Sequence, residues 1–213
     1  MGLEKIAVGV MSLGILTGCA SNVNGIDYFD IDAEKIEHNY QSERSDLISI
    51  YGFGGFGGNI TEGVVKEIRN LLIDNGKEHY KINKWNVHFG KIERGVRPLE
   101  NDINDGRSFI FVAHSLGCRN AVNVVKMLDS MNVPVDVLVL MDPFAFDKKI
   151  PENVKKVLVY RSEDIIFNGR ALDKRDLESQ GTKFFISNLG RWHNDFNNDE
   201  YSEVIAHDVV NSL

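Results

Sequence analysis

The chain has 213 residues, 43% apolar and 26% charged, with 24 Lys plus Arg against 31 Asp plus Glu and a formal net charge of −7. That apolar share excludes a wholly disordered chain, and at roughly 100–200 residues per domain the length predicts a single folded unit. An acidic chain without clustered cations is a poor nucleic-acid binder, and two Cys cannot build a disulfide scaffold.

In chain order, the short segment Met1–Lys5, with Glu4 and Lys5 charged, precedes Ile6–Thr17, twelve residues without a charge. That length fits the apolar core of a secretory signal, about 7–15 residues, and falls short of the roughly 20 that span a bilayer. Gly9 and Gly14, and the lack of an amphipathic period, argue against a packed first helix or strand. The segment ends in Leu16-Thr17-Gly18-Cys19, which resembles a bacterial lipobox. The resemblance implies cleavage before Cys19, a diacylglyceryl thioether on its sulfur, and an exported protein held on a bacterial membrane. Ala20 rather than Asp implies the outer membrane. Residues 1–18 are thus expected to be a signal peptide, and 19–46 a polar tether with a first strand at Ile26–Ile31. Residues 47–213 form the folded domain. With Cys19 lipidated, Cys118 is a free thiol, expected to pack as a small hydrophobe.

From residue 47 the pattern alternates. Leu47–Tyr51 reads as a strand, Gly52–Gly58 as a turn, and Ile60, Val64, Ile68, Leu71 and Leu72 as one face of a helix that ends near Asp74. Asn59 or Thr61 suits its start and Gly76 its end. Trp85–Phe89 and Ser108–Ala113 read as strands, and Leu116–Met131 as a helix. Val135–Met141, Val154–Tyr160 and Lys183–Ser187 read as strands, and Glu200–Val210 as a last helix. Near-continuous apolar strands alternating with helices predict an α/β fold, a three-layer sandwich with a mostly parallel sheet and helices on both faces.

The most informative stretch is Phe109-Ile-Phe-Val-Ala-His-Ser115-Leu-Gly117-Cys. A serine presented on a sharp strand-to-helix turn needs small residues two before and two after it, because bulkier ones would strike the neighbouring strand and helix. Ala113 and Gly117 supply them. Ala-His-Ser-Leu-Gly resembles the nucleophile elbow of the α/β-hydrolase superfamily, and among its members is most similar to lipases and esterases. The departure is Ala113, where the motif has Gly.

The resemblance implies a Ser, acid, His order along the chain. Of the six His, only His193 and His207 follow Ser115. His193 lies in a loop just after a predicted strand, whereas His207 falls in the last helix and is expected at the surface, so His193 is the expected base. His114 is expected to pack. The acid has two candidates, Asp142 in Leu-Met-Asp-Pro and Asp164 in Arg-Ser-Glu-Asp. Asp142 is favoured, because Pro143 would hold it at the C-terminal edge of the sheet, where ligands bind in open α/β sheets. The oxyanion hole implied by the resemblance takes the backbone N–H groups of Leu116 and of about Phe53, in the loop Tyr51-Gly-Phe-Gly-Gly-Phe-Gly-Gly58.

The same loop reads Gly52-x-Gly54-x-x-Gly57, a dinucleotide fingerprint, but it lacks an acidic residue closing the second strand, and Tyr80-x-x-x-Lys84 lies too early for a dehydrogenase pair. No metal-ligand spacing appears, and the Asp/Asn run at 194–200 is expected to be a solvated lead into the last helix. Phe53, Phe56, Phe144, Phe146, Trp192 and Phe196 map near the predicted mouth of the site and favour an apolar acyl or aryl substrate; 161–181 has room for a small lid. The expectation is a lipid-anchored serine hydrolase of esterase or lipase type. It would act on a small-molecule or lipid ester through an acyl-enzyme, without cofactor or metal. The alternatives are a thioesterase or amidase on the same triad, and a non-catalytic binding protein that keeps the fold.

Overall fold

The computed structural model describes residues 47–55, 60–77, 80–85, 87–88, 91–92, 96–143, 149–162, 182–190 and 195–213. Six strands form one sheet: β1 (Ile48–Phe53), β2 (Tyr80–Trp85), β5 (Ser108–His114), β6 (Val135–Met141), β7 (Val154–Ser162) and β8 (Lys183–Gly190). Their order is β2-β1-β5-β6-β7-β8, and every neighbouring pair is parallel. A two-residue hairpin pairs β3 (Val87–His88) with β4 (Lys91–Ile92). Four helices complete the described chain: α1 (Ile60–Asp74), α2 (Val96–Asn104), α3 (Gly117–Ser130) and α4 (Asp199–Val210).

The central strands are buried on both faces, as parallel strands under helices must be. Successive side chains point to opposite faces. Tyr51, Phe53, Phe109, Phe111, Leu138 and Leu140 therefore pack with Leu99 and Ile103 of α2 and Val125 and Leu128 of α3. Ile50, Ile110, Val112, Val139 and Tyr160 pack with Val64 and Ile68 of α1 and Ile205 and Val209 of α4. Each such side chain contributes about 1.5–3 kcal/mol by leaving water. Both layers are thus apolar cores in their own right, and the three-layer α/β sandwich expected from the sequence is observed.

Two elements differ from expectation. The second strand is Tyr80–Trp85, ahead of the expected Trp85–Phe89. It is an edge strand carrying Lys81 and Lys84, and edges tolerate the charge that hides a strand in a hydrophobic pattern. Helix α2 was not among the expected elements, and it carries Pro98. Pro98 falls in the first turn, where a missing N–H costs nothing, and Leu99 and Ile103, one turn apart, are both buried.

Polar pairs fix the framework where strands need fastening. Tyr51 Oη donates to the fully buried Asp102 Oδ2 at 2.6 Å, and Arg107 Nε faces Asp102 Oδ1 at 3.5 Å, tying β1 to α2. At the other end of the sheet, Asp136 accepts the Phe109 N–H at 3.1 Å and Lys155 Nζ at 2.9 Å. Tyr160 Oη donates to Asp208 Oδ2 at 2.7 Å and joins β7 to α4.

Candidate active site

The strand order locates the site before any side chain is considered. β1 feeds α1, which covers one face, while its neighbour β5 feeds α3, which covers the other. Chains leaving two adjacent strands in opposite directions open a crevice at their C-terminal ends, where open α/β sheets bind ligands. Gly54 and Gly55 follow β1 there, and Ser115 follows β5. A dinucleotide fold would place the third parallel strand outside the second; here β5 lies on the far side of β1.

Ser115 has φ +55°, the left-handed region that costs a residue with a Cβ about 1–3 kcal/mol. The surroundings impose it. Its N–H donates to Met141 O at 3.0 Å, and its carbonyl accepts the Cys118 N–H at 3.1 Å as α3 begins. A Cβ on Gly117 would lie 2.2 Å from Phe53 O and 2.8 Å from Gly54 O, so only glycine fits beneath the glycine loop. A Cβ on Gly55 would lie 2.8 Å from Ser115 Cβ and 3.4 Å from its Oγ. The glycine loop thus rests directly on the serine. Ser115 keeps 7% of its surface, so access to Oγ is narrow.

Leu116 is half-buried and helical (φ −61°, ψ −25°), and caps α3 without a side-chain hydrogen bond. Its N–H precedes the helix's positive end, where anions are favoured. Phe53 is the last residue of β1. Its ring is fully buried, edge-on to Phe111 at 5.6 Å, and its carbonyl is turned toward Gly117. Among the described loop residues it is Gly55, two positions later, whose added Cβ would strike the serine.

Asp142 ends β6 beside Ser115, fully buried and also at positive φ (+44°), which Asp tolerates better than most residues. Its N–H donates to Tyr160 O at 2.8 Å. Its carboxylate receives the Ser162 N–H on Oδ1 at 2.7 Å and the Ser162 hydroxyl on Oδ2 at 2.5 Å. Ser162 went unnoticed in the sequence: a lone serine closing a strand carries no signal until β7 is paired with its neighbours.

His114, 4% exposed, packs its ring 6.1 Å from that of Phe196, as a structural side chain should. Phe196 is fully buried, as is Phe53, so neither lines the mouth of the site as expected; both fill the core beneath it. His207 is exposed in the last turn of α4. The Asp/Asn run includes a 3₁₀ turn, Asp195–Asn197, and Asn198 caps α4 by accepting the Glu200 N–H at 3.1 Å. Among the described residues no cluster of His, Cys, Asp or Glu is placed to hold a metal ion. Burial pushes the Cys118 thiol well above its usual pKa; its Sγ donates to Met141 O at 3.6 Å, so it is an inert hydrophobe rather than a nucleophile. His193, Asp164, Cys19, Phe56, Phe144, Phe146, Trp192, the Ile26–Ile31 strand and all but the first two positions of the 161–181 lid lie outside the described residues.

No family model matches the chain, and no curated protein does. Among solved structures, the chain is similar to a candidate hydrolase of the alpha/beta superfamily from Xanthomonas campestris pv. campestris, at 13% identity and a TM-score of 0.46, over 78% of this chain and 99% of that one. One fold hosts many chemistries, so function rests on the site.

Proposed function

We propose that this protein is a serine hydrolase that cleaves a carboxylic ester through an acyl-enzyme, with Ser115 as nucleophile, His193 as base and Asp142 as the acid that orients it. The observation that carries this is Ser115 held at φ +55° between β5 and α3, at the switch point of the sheet, with Asp142 ending the adjacent strand. Backbone strain at one serine, with Ala113 before it, Gly117 after it and Gly55 packed over it, is the architecture that presents a nucleophile above a sheet.

In the proposed reaction His193 takes the hydroxyl proton as Ser115 Oγ bonds to the ester carbonyl carbon. The tetrahedral intermediate collapses, and His193 gives the proton to the departing alcohol. Water, activated by the same imidazole, then releases the acid. The developing oxyanion is met by the Leu116 N–H and by the glycine loop, through Phe53 or through Gly55, whose backbone touches the serine. Gly190 ends β8 at the same sheet edge as Ser115, and Phe196 packs on His114 beside Ser115. His193 is proposed as the base from its place after Ser115 and Asp142 in the sequence.

The N-terminal sequence supports export and a lipid anchor on Cys19, which would present the enzyme to ester substrates at a membrane surface. The 7% exposure of Ser115 is the one observation that favours the second reading, an anchored binding protein without turnover. A thioester or amide would use the same machinery.

The test is labelling of the full-length protein with a fluorophosphonate, followed by mass-spectrometric mapping. The expected result is a tag on Ser115. Ser115→Ala should lose both tag and turnover of a p-nitrophenyl ester while its circular dichroism is unchanged. An untagged wild-type protein would favour the binding reading, and full turnover in Ser115→Ala would rule out this nucleophile.

A further inference from the structure

The geometry points to Ser162 as a positioning residue that sets the orientation of the Asp142 carboxylate and, through it, of the catalytic imidazole. This assignment rests on the proposed hydrolase chemistry and adds to it a residue with no place in the serine, histidine and acid set.

The pairing of β7 with β8 is regular from Lys156 opposite Lys183 to Arg161 opposite Asn188, then slips by one residue, so that Ser162 faces Gly190. The extra residue, Leu189, lies on β8, and such bulges bend the strand that carries them and gather beside active sites. On its other side β7 pairs with β6, Met141 opposite Tyr160, and this brings both donors of Ser162 onto the Asp142 carboxylate. The backbone N–H reaches Oδ1 at 2.7 Å and the hydroxyl reaches Oδ2 at 2.5 Å. Ser162 is 3% exposed and Asp142 0%, so water does not compete for either bond. The exchange runs both ways between the two strand ends, since Asp142 N–H donates to Tyr160 O.

Two donors from one residue, one on each oxygen, fix the plane of the carboxylate, which a single bond would leave free to rotate. A carboxylate accepts about four hydrogen bonds, so Ser162's two are compatible with a further donor such as an imidazole N–H. An acid that only orients its base works by geometry, and an error in its plane is transmitted to the imidazole and so to the serine proton. If the backbone bond were the whole support, the hydroxyl would be dispensable. The burial of both partners, with the hydroxyl on the oxygen that the backbone N–H leaves open, argues that it is not.

The experiment compares Ser162→Ala, Ser162→Thr and Ser162→Cys with wild type in the full-length protein, using a p-nitrophenyl ester, each alone and combined with Asp142→Asn. Loss of one buried hydrogen bond to a charged group should lower kcat in Ser162→Ala by roughly ten-fold, with KM unchanged. Ser162→Thr, which keeps a hydroxyl, should restore it. Ser162→Cys, close in size but a weak donor, should match Ala, and it stands in if Ala folds poorly. In the Asp142→Asn background the Ala substitution should cost nothing more, because both act through the same carboxylate. Wild-type kcat in Ser162→Ala, an equal further loss in Asp142→Asn, or failure of Thr to restore turnover would each overturn the assignment. So would an Asp142→Asn variant of undiminished activity, although Ser115 would then remain the nucleophile. Absence of a fluorophosphonate tag on wild-type Ser115 would instead remove the hydrolase chemistry and this assignment with it.

Discussion

At the scale of single residues, two non-glycine positions at the tips of adjacent strands occupy left-handed backbone, Ser115 at +55° and Asp142 at +44°. Strain of this kind persists only where the surroundings over-determine it, and it gathers at functional sites. The proposed chemistry assigns them unequal costs. Asp142→Asn should reduce turnover by about 10³–10⁴, because the imidazole loses the group that sets its tautomer, while Asp164→Asn should stay within a few-fold. Steady-state rates of the two variants decide between the carboxylates. The base must be neutral to accept the serine proton, so wild-type kcat/KM should climb with pH through about 6.5 and level off above it. A rate flat from pH 5 to 8 would point to a different base. The expectations for Ser115 and Asp142 rest on local signals, the small Gly117 that permits a tight turn and the restricted backbone of Pro143. Ser162 was not legible in the sequence: its role is created by the pairing of β7 with β6, which sets two strand ends side by side and which no local pattern encodes.

Elements meet the site through contacts between backbones. Helix α3 begins under the glycine loop, and a methyl group on Gly117 would sit 2.2 Å from the Phe53 carbonyl, which cannot move without disturbing β1. Gly117→Ala should therefore cost about 1–3 kcal/mol in urea unfolding and also abolish labelling of Ser115, since the elbow and the loop would separate. On the other face, the Tyr160 phenol is pushed above its ordinary value of 10.0, first by burial and then by its bond to Asp208. A phenol shifted upward in the folded state contributes stability in full below about pH 10. That stability is lost as pH rises further, because the unfolded chain releases the proton first. Tyr160→Phe should cost about 1 kcal/mol at pH 8 and flatten the alkaline decline above about pH 10, both read from denaturant midpoints. The helix α2 and the edge strand β2 show where element-level inference runs out. Pro98 and the lysines of 81 and 84 argue against regular structure locally, and are harmless only because one falls in a first helical turn and the others on a sheet edge.

For the whole molecule, the described chain enters β1 at the N-terminal edge of the sheet, whereas the proposed site lies at the C-terminal edge. A lipid on Cys19 would tether the domain through the chain ahead of β1. Cys19→Ser should release the protein from membrane pellets into the soluble fraction without changing kcat on a soluble ester. Cell fractionation with a parallel rate assay measures both, and an unchanged pellet fraction would exclude the anchor. The sequence by itself determined the alternation of buried strands and helices and pointed to Ser115 and Asp142, because apolar runs, glycine and proline act over a few residues. Only the tertiary structure decided which strands are neighbours. That order put β1 beside β5, laid Gly55 on Ser115, buried Phe53 and Phe196 in the core instead of at the mouth, and turned Ser162 onto Asp142. The physical reason is that these are contacts between residues far apart in the chain. Their partners are chosen by packing two apolar faces at once, a condition that no single segment carries.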